Sequence, residues 1–245
     1  DQQCGSSMAA IQIGFMEIAQ GFADIVLVGG YEHMTRVPMG RTTTERGYIA
    51  PNMSLFADPA HFHWDMMTTM NMGLTAEKLF KKTGFTKEDM DKWGTRSHQL
   101  ASKAQKEGFF DGEILPIDAI QDDGKVLTVK RDQAVRDDAT LEGMASLKPA
   151  FKKDGVITAG NSSPLNAAAT SMILMSKEVA QKKGIKPLAT IRSIGFAGVD
   201  PTIMGAGPVP ASKMAVEKVG LKPSDVDFWE INEAFCVVAL NCIRE

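Results

Sequence analysis

The run Asp24-Ile25-Val26-Leu27-Val28-Gly29-Gly30 is almost continuously apolar and closed by glycines. That pattern marks a strand buried on both faces rather than one with a solvated side. It follows an amphipathic series, Met8, Ile11, Phe15, Ile18 and Ala19, which stops at Gly21 and predicts a helix. A helix leading into such a strand implies α/β layering.

From residue 35 to about residue 65 the periodicity disappears into Met, Pro, Gly, His and aromatics. This stretch is too apolar for a linker and too irregular for an element, and it reads as a packed functional loop. Residues 75–82 predict a short helix. Thr86 then caps a longer one with Met90, Trp93, Leu100 and Ala104 on one face, ending at Gly108. Ile114-Leu115-Pro116-Ile117 and Val126-Leu127-Thr128-Val129 flank Asp122-Asp123-Gly124-Lys125, a turn signal that predicts a hairpin. After Pro149 the α/β pattern resumes. Residues 155–158 lead into Ala159-Gly160-Asn161-Ser162-Ser163, followed by a predicted helix rich in small residues over 167–183 and stopped by Gly184. A strand over 188–194, a helix over 211–219 closed by Gly220, a strand over 226–231 and an amphipathic helix over 233–245 complete the reading. What recurs is strand end, polar turn, helix start.

A chain of 245 residues can hold one large domain or two modest ones, and 44% hydrophobic with 23% charged residues is ordinary globular composition. A net charge of −3 with mixed signs leaves no footprint for nucleic acid, and no apolar run is long enough to span a bilayer. Three cysteines, Cys4, Cys236 and Cys242, are an odd number without metal-ligand spacing, which points to a reducing compartment and no metal site. The last predicted helix runs to Glu245 without a stop signal, and Asp1-Gln2-Gln3 leaves no room for a strand before Cys4. Further sequence is therefore expected on both sides.

Cys4 precedes Gly5-Ser6-Ser7 and the first helical pattern, so its thiol is placed at a helix N-terminus. Free N–H groups and the macrodipole favour a thiolate there, and the thiolate is the nucleophile. Gly5 leaves room for an acyl group, and the serine hydroxyls are placed to bond the first helical turn. A buried structural cysteine is the alternative. Asn232-Glu233-Ala234-Phe235 follows the predicted strand at 227–231, where ligands of open α/β sheets bind. Asn232 can hold a water or a carbonyl oxygen and so form part of an oxyanion site, while Glu233 can instead complement the helix dipole. Asn161-Ser162-Ser163 either caps a helix or binds an amide-bearing ligand. Gly205-Ala206-Gly207-Pro208-Val209-Pro210 lacks the spacing and the lysine of a phosphate-binding loop. His33, after the buried strand, is the most site-like histidine. It is read as structural, and His61, His63 and His98 as packing or solvent groups.

Read together, Cys4-Gly5-Ser6-Ser7-Met8, Val28-Gly29-Gly30-Tyr31-Glu32-His33-Met34 with Val37-Pro38-Met39, Met72-Gly73-Leu74-Thr75-Ala76-Glu77, Leu147-Lys148-Pro149-Ala150-Phe151, Ala159-Gly160-Asn161-Ser162-Ser163, residues 204–211 and Asn232-Glu233-Ala234-Phe235 resemble the thiolase family. The resemblance covers nearly the whole chain and is greatest to the degradative 3-ketoacyl-CoA thiolases of fatty-acid β-oxidation. It implies a five-layered αβαβα fold of two similar halves, incomplete at both ends here. Residues 1–34 would begin the N-terminal half, 35–151 form an inserted loop domain, 152–185 close that half and 186–245 begin the C-terminal half. It also implies a ping-pong acyltransferase. The Cys4 thiolate attacks the 3-keto carbon, the Cα–Cβ bond breaks, acetyl-CoA leaves, and CoA collects the shortened acyl group from sulfur. By the same resemblance Asn232 positions the oxyanion-site water, Ser163 contacts pantetheine, Phe235 and Met72 line the pocket, Ala159 sits at the pantetheine tunnel, Phe151 falls among the CoA-binding residues, and Arg136 packs on the adenine.

The chain also departs from the family pattern. Asn71 stands where biosynthetic thiolases place a ligand-contacting histidine, and Gly143 replaces a serine near the nucleotide. The family's activating histidine and second acid/base cysteine would fall beyond Glu245, so the 245-residue segment alone is expected to be inactive. Neither Cys236 nor Cys242 fits the second role, since no glycine-rich turn accompanies them. The implied cofactor set is none bound permanently, with CoA as co-substrate. The implied partners are acyl-CoA, a second copy in a homodimer or homotetramer, and a hydratase/dehydrogenase subunit. The expected location is the cytoplasm, or an organellar matrix in a eukaryote. The alternatives are a biosynthetic acetoacetyl-CoA thiolase and a non-catalytic thiolase-like module that binds acyl-CoA or a partner.

Overall fold

The computed structural model describes residues 2–34 and 54–245, so Val37, Pro38, Met39 and most of the predicted irregular loop lie outside the described residues. The first elements are helix α1 (Ser6–Ala19), strand β1 (Ile25–His33) and helices α2 (Ser54–Ala57), α3 (Met66–Thr69), α4 (Met72–Thr83) and α5 (Lys87–Lys106). Strands β2 (Ile117–Ile120) and β3 (Val126–Val129), helix α6 (Leu141–Ala145) and strand β4 (Ala167–Met175) follow. Helices α7 (Lys177–Lys182), α8 (Pro208–Glu217) and α9 (Cys236–Arg244) complete the order. Contacts divide the chain into two units: Asp1–Phe62 with Leu165–Ala197 and Pro210–Phe228, and His63–Pro164 with Gly198–Val209 and Trp229–Glu245.

In the first unit β1 pairs antiparallel with β4, from Ile25 opposite Met175 to His33 opposite Ala167. α1 lies across one face of this ribbon, and glycine is what lets it approach. A Cβ on Gly14 would stand 2.8 Å from Val28 Cγ1 and 3.1 Å from Leu174 Cδ1, and one on Gly30 would overlap the Ser7 hydroxyl. Val28 is buried beneath the helix, whereas Leu27, Tyr31 and Ile173 on the other face are exposed. Among the described residues, the strand expected to be buried on both faces is thus covered on one only.

The predicted helix over 167–183 is corrected as well: β4 takes 167–175, and only α7 is helical. Alanine and methionine favour a helix, but pairing with β1 outweighs that weak local preference. Gly29 and Gly30 sit opposite Ser171 and Thr170, so small residues meet a strand with no side chains to offer there. The strands predicted over 188–194 and 226–231 form no ladder among the described residues. Residues 193 and 194 lie along α8 instead, where Ser193 Oγ donates to Ala215 O and Lys218 Nζ donates to Ile194 O at 2.9 Å. α8 starts at Pro208, earlier than the pattern predicts, since proline suits a first helical position.

In the second unit Leu79, Met90, Ile157, Val237 and Val238 form one buried cluster contributed by α4, α5, α9 and the segment before residue 158. Local chemistry sets the helix ends. Asn71 Oδ1 accepts from Leu74 N at 3.1 Å to start α4. Thr86 and Asp89 form a reciprocal capping box at α5, and the Thr86 hydrogen bonds hold the Asp89 carboxyl below the usual carboxylate range. Gly84 and Gly108 close the two helices at φ +71° and +73°. β2 and β3 form the expected hairpin, with Gly124 at φ +81° in its turn, but the first strand begins at Ile117, after Pro116, rather than at Ile114, and pairs from Ile117 opposite Val129 to Ile120 opposite Val126. No helix among the described residues is long and apolar enough to cross a membrane.

Candidate active-site residues

Cys4 occupies a 3₁₀ turn, Gln3–Gly5, immediately ahead of α1, and its thiol is exposed. Gln3 takes a left-handed φ of +53°, which costs an L-residue about 1–2 kcal/mol. The turn is locked from behind. Ser6 Oγ donates to Gln3 O at 2.7 Å and accepts from Gln2 N at 2.9 Å, so this serine braces the cysteine turn rather than capping forward. Ser7 seats the helix start on β1 at Gly30. The other two thiols differ. Cys236 is buried, and burial together with the Glu233 and Asp91 carboxylates pushes it up to about 12; burial also raises Cys242. Both remain protonated near neutrality, and Cys4 is the exposed cysteine.

The second unit assembles most of the other candidates. Residues 161–163 run antiparallel to 234–236: Ser162 and Phe235 form a bridge, Ser163 N donates to Ala234 O at 2.9 Å, and Cys236 N donates to Asn161 O at 3.0 Å. Ser163 and Asn232 are both exposed beside this pairing. Asn161, by contrast, is fully engaged inside the fold. Its Nδ2 donates to Asp91 Oδ1 at 3.2 Å and Val156 O at 3.1 Å, and its Oδ1 accepts from Thr158 N at 2.9 Å. Its amide is consumed by these three bonds and caps no helix, and Asp91 is in turn paired with Lys87 at 2.5 Å. Ser162 Oγ donates to Thr158 O.

Phe235 meets Phe151 edge to face, with ring centroids 6.1 Å apart and planes at 76°. The Phe151 ring in turn covers Gly73, where a Cβ would stand 2.1 Å from its Cγ. That contact holds the first turn of α4, with half-buried Met72, against the aromatic pair. Ala159 is exposed in the loop leading to Asn161. The Gly205 loop has a packing explanation, because a Cβ there would strike Val238 Cγ2 at 2.7 Å.

Glu233 does not serve the helix dipole. α9 begins at Cys236 with extended Phe235 as its N-cap, and the Glu233 carboxylate instead reaches α5. Trp93 Nε1 donates to its Oε1 at 2.7 Å, and Ser97 Oγ donates to its Oε2. α5 also seats the loop bearing exposed Arg136. His98 Nδ1 accepts from Arg136 N at 3.2 Å, Gln99 Nε2 donates to Ala139 O at 3.2 Å, Ser102 Oγ donates to Asp137 Oδ1 at 2.7 Å, and Gln105 Nε2 donates to Asp132 O at 3.0 Å. Burial first, then the Arg136 charge, pushes His98 below its ordinary value, with Glu233 acting in the opposite direction. That Trp93 and Ser97 hold Glu233, and His98 the backbone of Arg136, is not legible in the sequence. The available signal was their i, i+4 and i+5 placement on one helix.

Two family descriptions match: the thiolase N-terminal domain over residues 1–178 and the thiolase C-terminal domain over residues 185–245. A protein of Marinobacter nauticus called 3-ketoacyl-CoA thiolase is 44% identical over 243 residues, covering 99% of this chain and 59% of that protein. Among solved structures, Bacillus anthracis acetyl-CoA acetyltransferase aligns with a TM-score of 0.82 and 39% identity, over 98% of this chain and 61% of that one. Human mitochondrial 3-ketoacyl-CoA thiolase aligns with a TM-score of 0.82 and 35% identity, over 98% and 61%. The chain thus has the thiolase fold, and it spans about three fifths of the length of the relatives it matches. With both family descriptions covering almost all of it, the chain belongs to the thiolase family.

Proposed function

We propose that this chain carries the nucleophile and part of the CoA site of a thiolase that cleaves 3-ketoacyl-CoA with CoA, giving acetyl-CoA and an acyl-CoA shortened by two carbons. One observation supports this above the others: Cys4 is exposed in a braced turn at the start of α1, while both other thiols are held protonated by burial. The Cys4 thiolate adds to the 3-keto carbon. Collapse of the tetrahedral oxyanion breaks the Cα–Cβ bond, the electron pair passes to the acetyl-CoA enolate, and a proton completes acetyl-CoA. The acyl group remains on Cys4 as a thioester until a CoA thiolate displaces it and restores the Cys4 thiolate. Each addition puts charge on a carbonyl oxygen, and Asn232 is assigned to position the water that stabilises it. Ser163, Met72, Ala159, Phe151 and Phe235 are assigned to the pantetheine and acyl path, and Arg136 to the adenine. The same proposal places the reaction in β-oxidation, in the cytoplasm or an organellar matrix, with at least a homodimer as the working assembly and 35–151 as the loop domain.

A second reading is favoured by the likeness to a structure called acetyl-CoA acetyltransferase, 39% identical. It would confine the reaction to four-carbon substrate. Thiolysis by the full-length protein, measured across 3-ketoacyl-CoAs of graded length, separates the two. Turnover of long substrates supports the degradative reading, and turnover of acetoacetyl-CoA alone overturns it.

A further inference from the structure

We infer that Glu233 is a positioning residue for Asn232, and that Trp93 and Ser97 of α5 set the geometry of the oxyanion site through it. The inference rests on the role proposed for Asn232. Residues 232–236 are held on one side by the pairing of 234–236 with 161–163, which fixes the backbone from Ala234 onward. Asn232 precedes that pairing and is exposed, so the ladder alone leaves its direction loosely set. Glu233 supplies the missing restraint, since both carboxylate oxygens are engaged, Oε1 by the Trp93 indole and Oε2 by the Ser97 hydroxyl. Those donors lie one helical turn apart on α5, a 20-residue helix with a capping box at its start and core residue Met90 fully buried. Two charge-assisted bonds from a rigid helix restrict the carboxylate to one orientation, and the peptide before it carries Asn232. A shift of about 1 Å in a group that stabilises the transition state can lower turnover about 100-fold, so a residue that never touches substrate governs rate through this restraint.

The test is a double-mutant cycle in the full-length protein, with kcat and KM read separately. Asn232→Ala lowers kcat about 100-fold or more if it serves the oxyanion site. Glu233→Ala is expected to lower kcat about tenfold or more with little change in KM, and Asn232→Ala/Glu233→Ala to be no slower than Asn232→Ala alone. Glu233→Gln keeps an acceptor for Trp93 and turns its amide Nε2 toward the Ser97 hydroxyl, which accepts instead of donating, and is expected to recover most of the loss. Ser97→Ala, a milder change for the fold, is expected to lower kcat in the same direction. Should Asn232→Ala turn over like the parent, the proposed oxyanion role falls. Should Asn232→Ala be slow while Glu233→Ala has normal kcat, or the two losses multiply, the role of Asn232 stands and the positioning role of Glu233 is overturned.

Discussion

Phe151 lies directly over Gly73, so closely that a Cβ on Gly73 would stand 2.1 Å from the ring carbon Cγ. The ring is also the edge-to-face partner of Phe235, so this glycine determines where the aromatic pair can sit. Gly73→Ala must displace the ring. It is expected to destabilise the protein by about 1–3 kcal/mol in urea unfolding. It should also raise KM for acyl-CoA several-fold with kcat little changed, the pattern of lost uniform binding. An unchanged KM would remove Phe151 from the acyl-CoA path.

A comparable constraint operates under α1. Gly14 faces Val28, Val26 and Leu174 at distances that leave no space for a side chain. Gly14→Val introduces three carbons there, and unfolding by urea should show a loss of about 3 kcal/mol, toward the upper end for overpacking. Stability equal to the parent would mean that α1 does not lie on the β1–β4 ribbon as described.

Cys4 and Cys236 should react in a fixed order. Cys4 is exposed, whereas Cys236 is buried with its ionisation pushed up to about 12. Brief treatment with iodoacetamide at pH 8, followed by peptide mass spectrometry, should label Cys4 while Cys236 stays unmodified until the protein is unfolded. Labelling of Cys236 at the rate of Cys4 in folded protein contradicts the burial of α9.

His98 introduces a pH dependence whose sign follows from its environment. Its folded-state value lies below the ordinary 6.5, because burial and then Arg136 disfavour the imidazolium. The unfolded chain therefore binds the proton first as pH falls. The contribution of His98 is fully present above 6.5 and is lost progressively down to its lower folded value. His98→Asn, which keeps an acceptor for Arg136 N, should flatten this part of the profile in urea unfolding at pH 7.5, 6.5 and 5.5. An identical slope in parent and variant would assign the dependence to other groups.

Much of this architecture can be read from local chemistry, and what escapes is decided by distant neighbours. Thr86 with Asp89, and the stop at Gly108, bracket α5 correctly because a cap and a left-handed glycine act within one turn of their own position. β4 escapes because nothing near Ala167, Ala168 and Ala169 announces that β1 will be their partner. The same holds in the candidate site. Asn232 and Ser163 are each recognisable as polar turn residues, but their neighbourhood depends on the bridge between Ser162 and Phe235. Asn161 and Ser163 look equivalent in the sequence, yet one is consumed by Asp91, Val156 and Thr158 while the other stays exposed. Glu233 shows the same limit: an acidic residue just before a helix suggests a dipole partner, and only the fold brings it to Trp93.

The most direct measurement is the site of acylation. The full-length protein is mixed with a 3-ketoacyl-CoA in the absence of free CoA, quenched in acid, digested and analysed by mass spectrometry. The account predicts a shortened acyl group in thioester linkage on Cys4, released on adding CoA and absent in Cys4→Ser. An acyl group on a different residue, or turnover retained in Cys4→Ser, would contradict it.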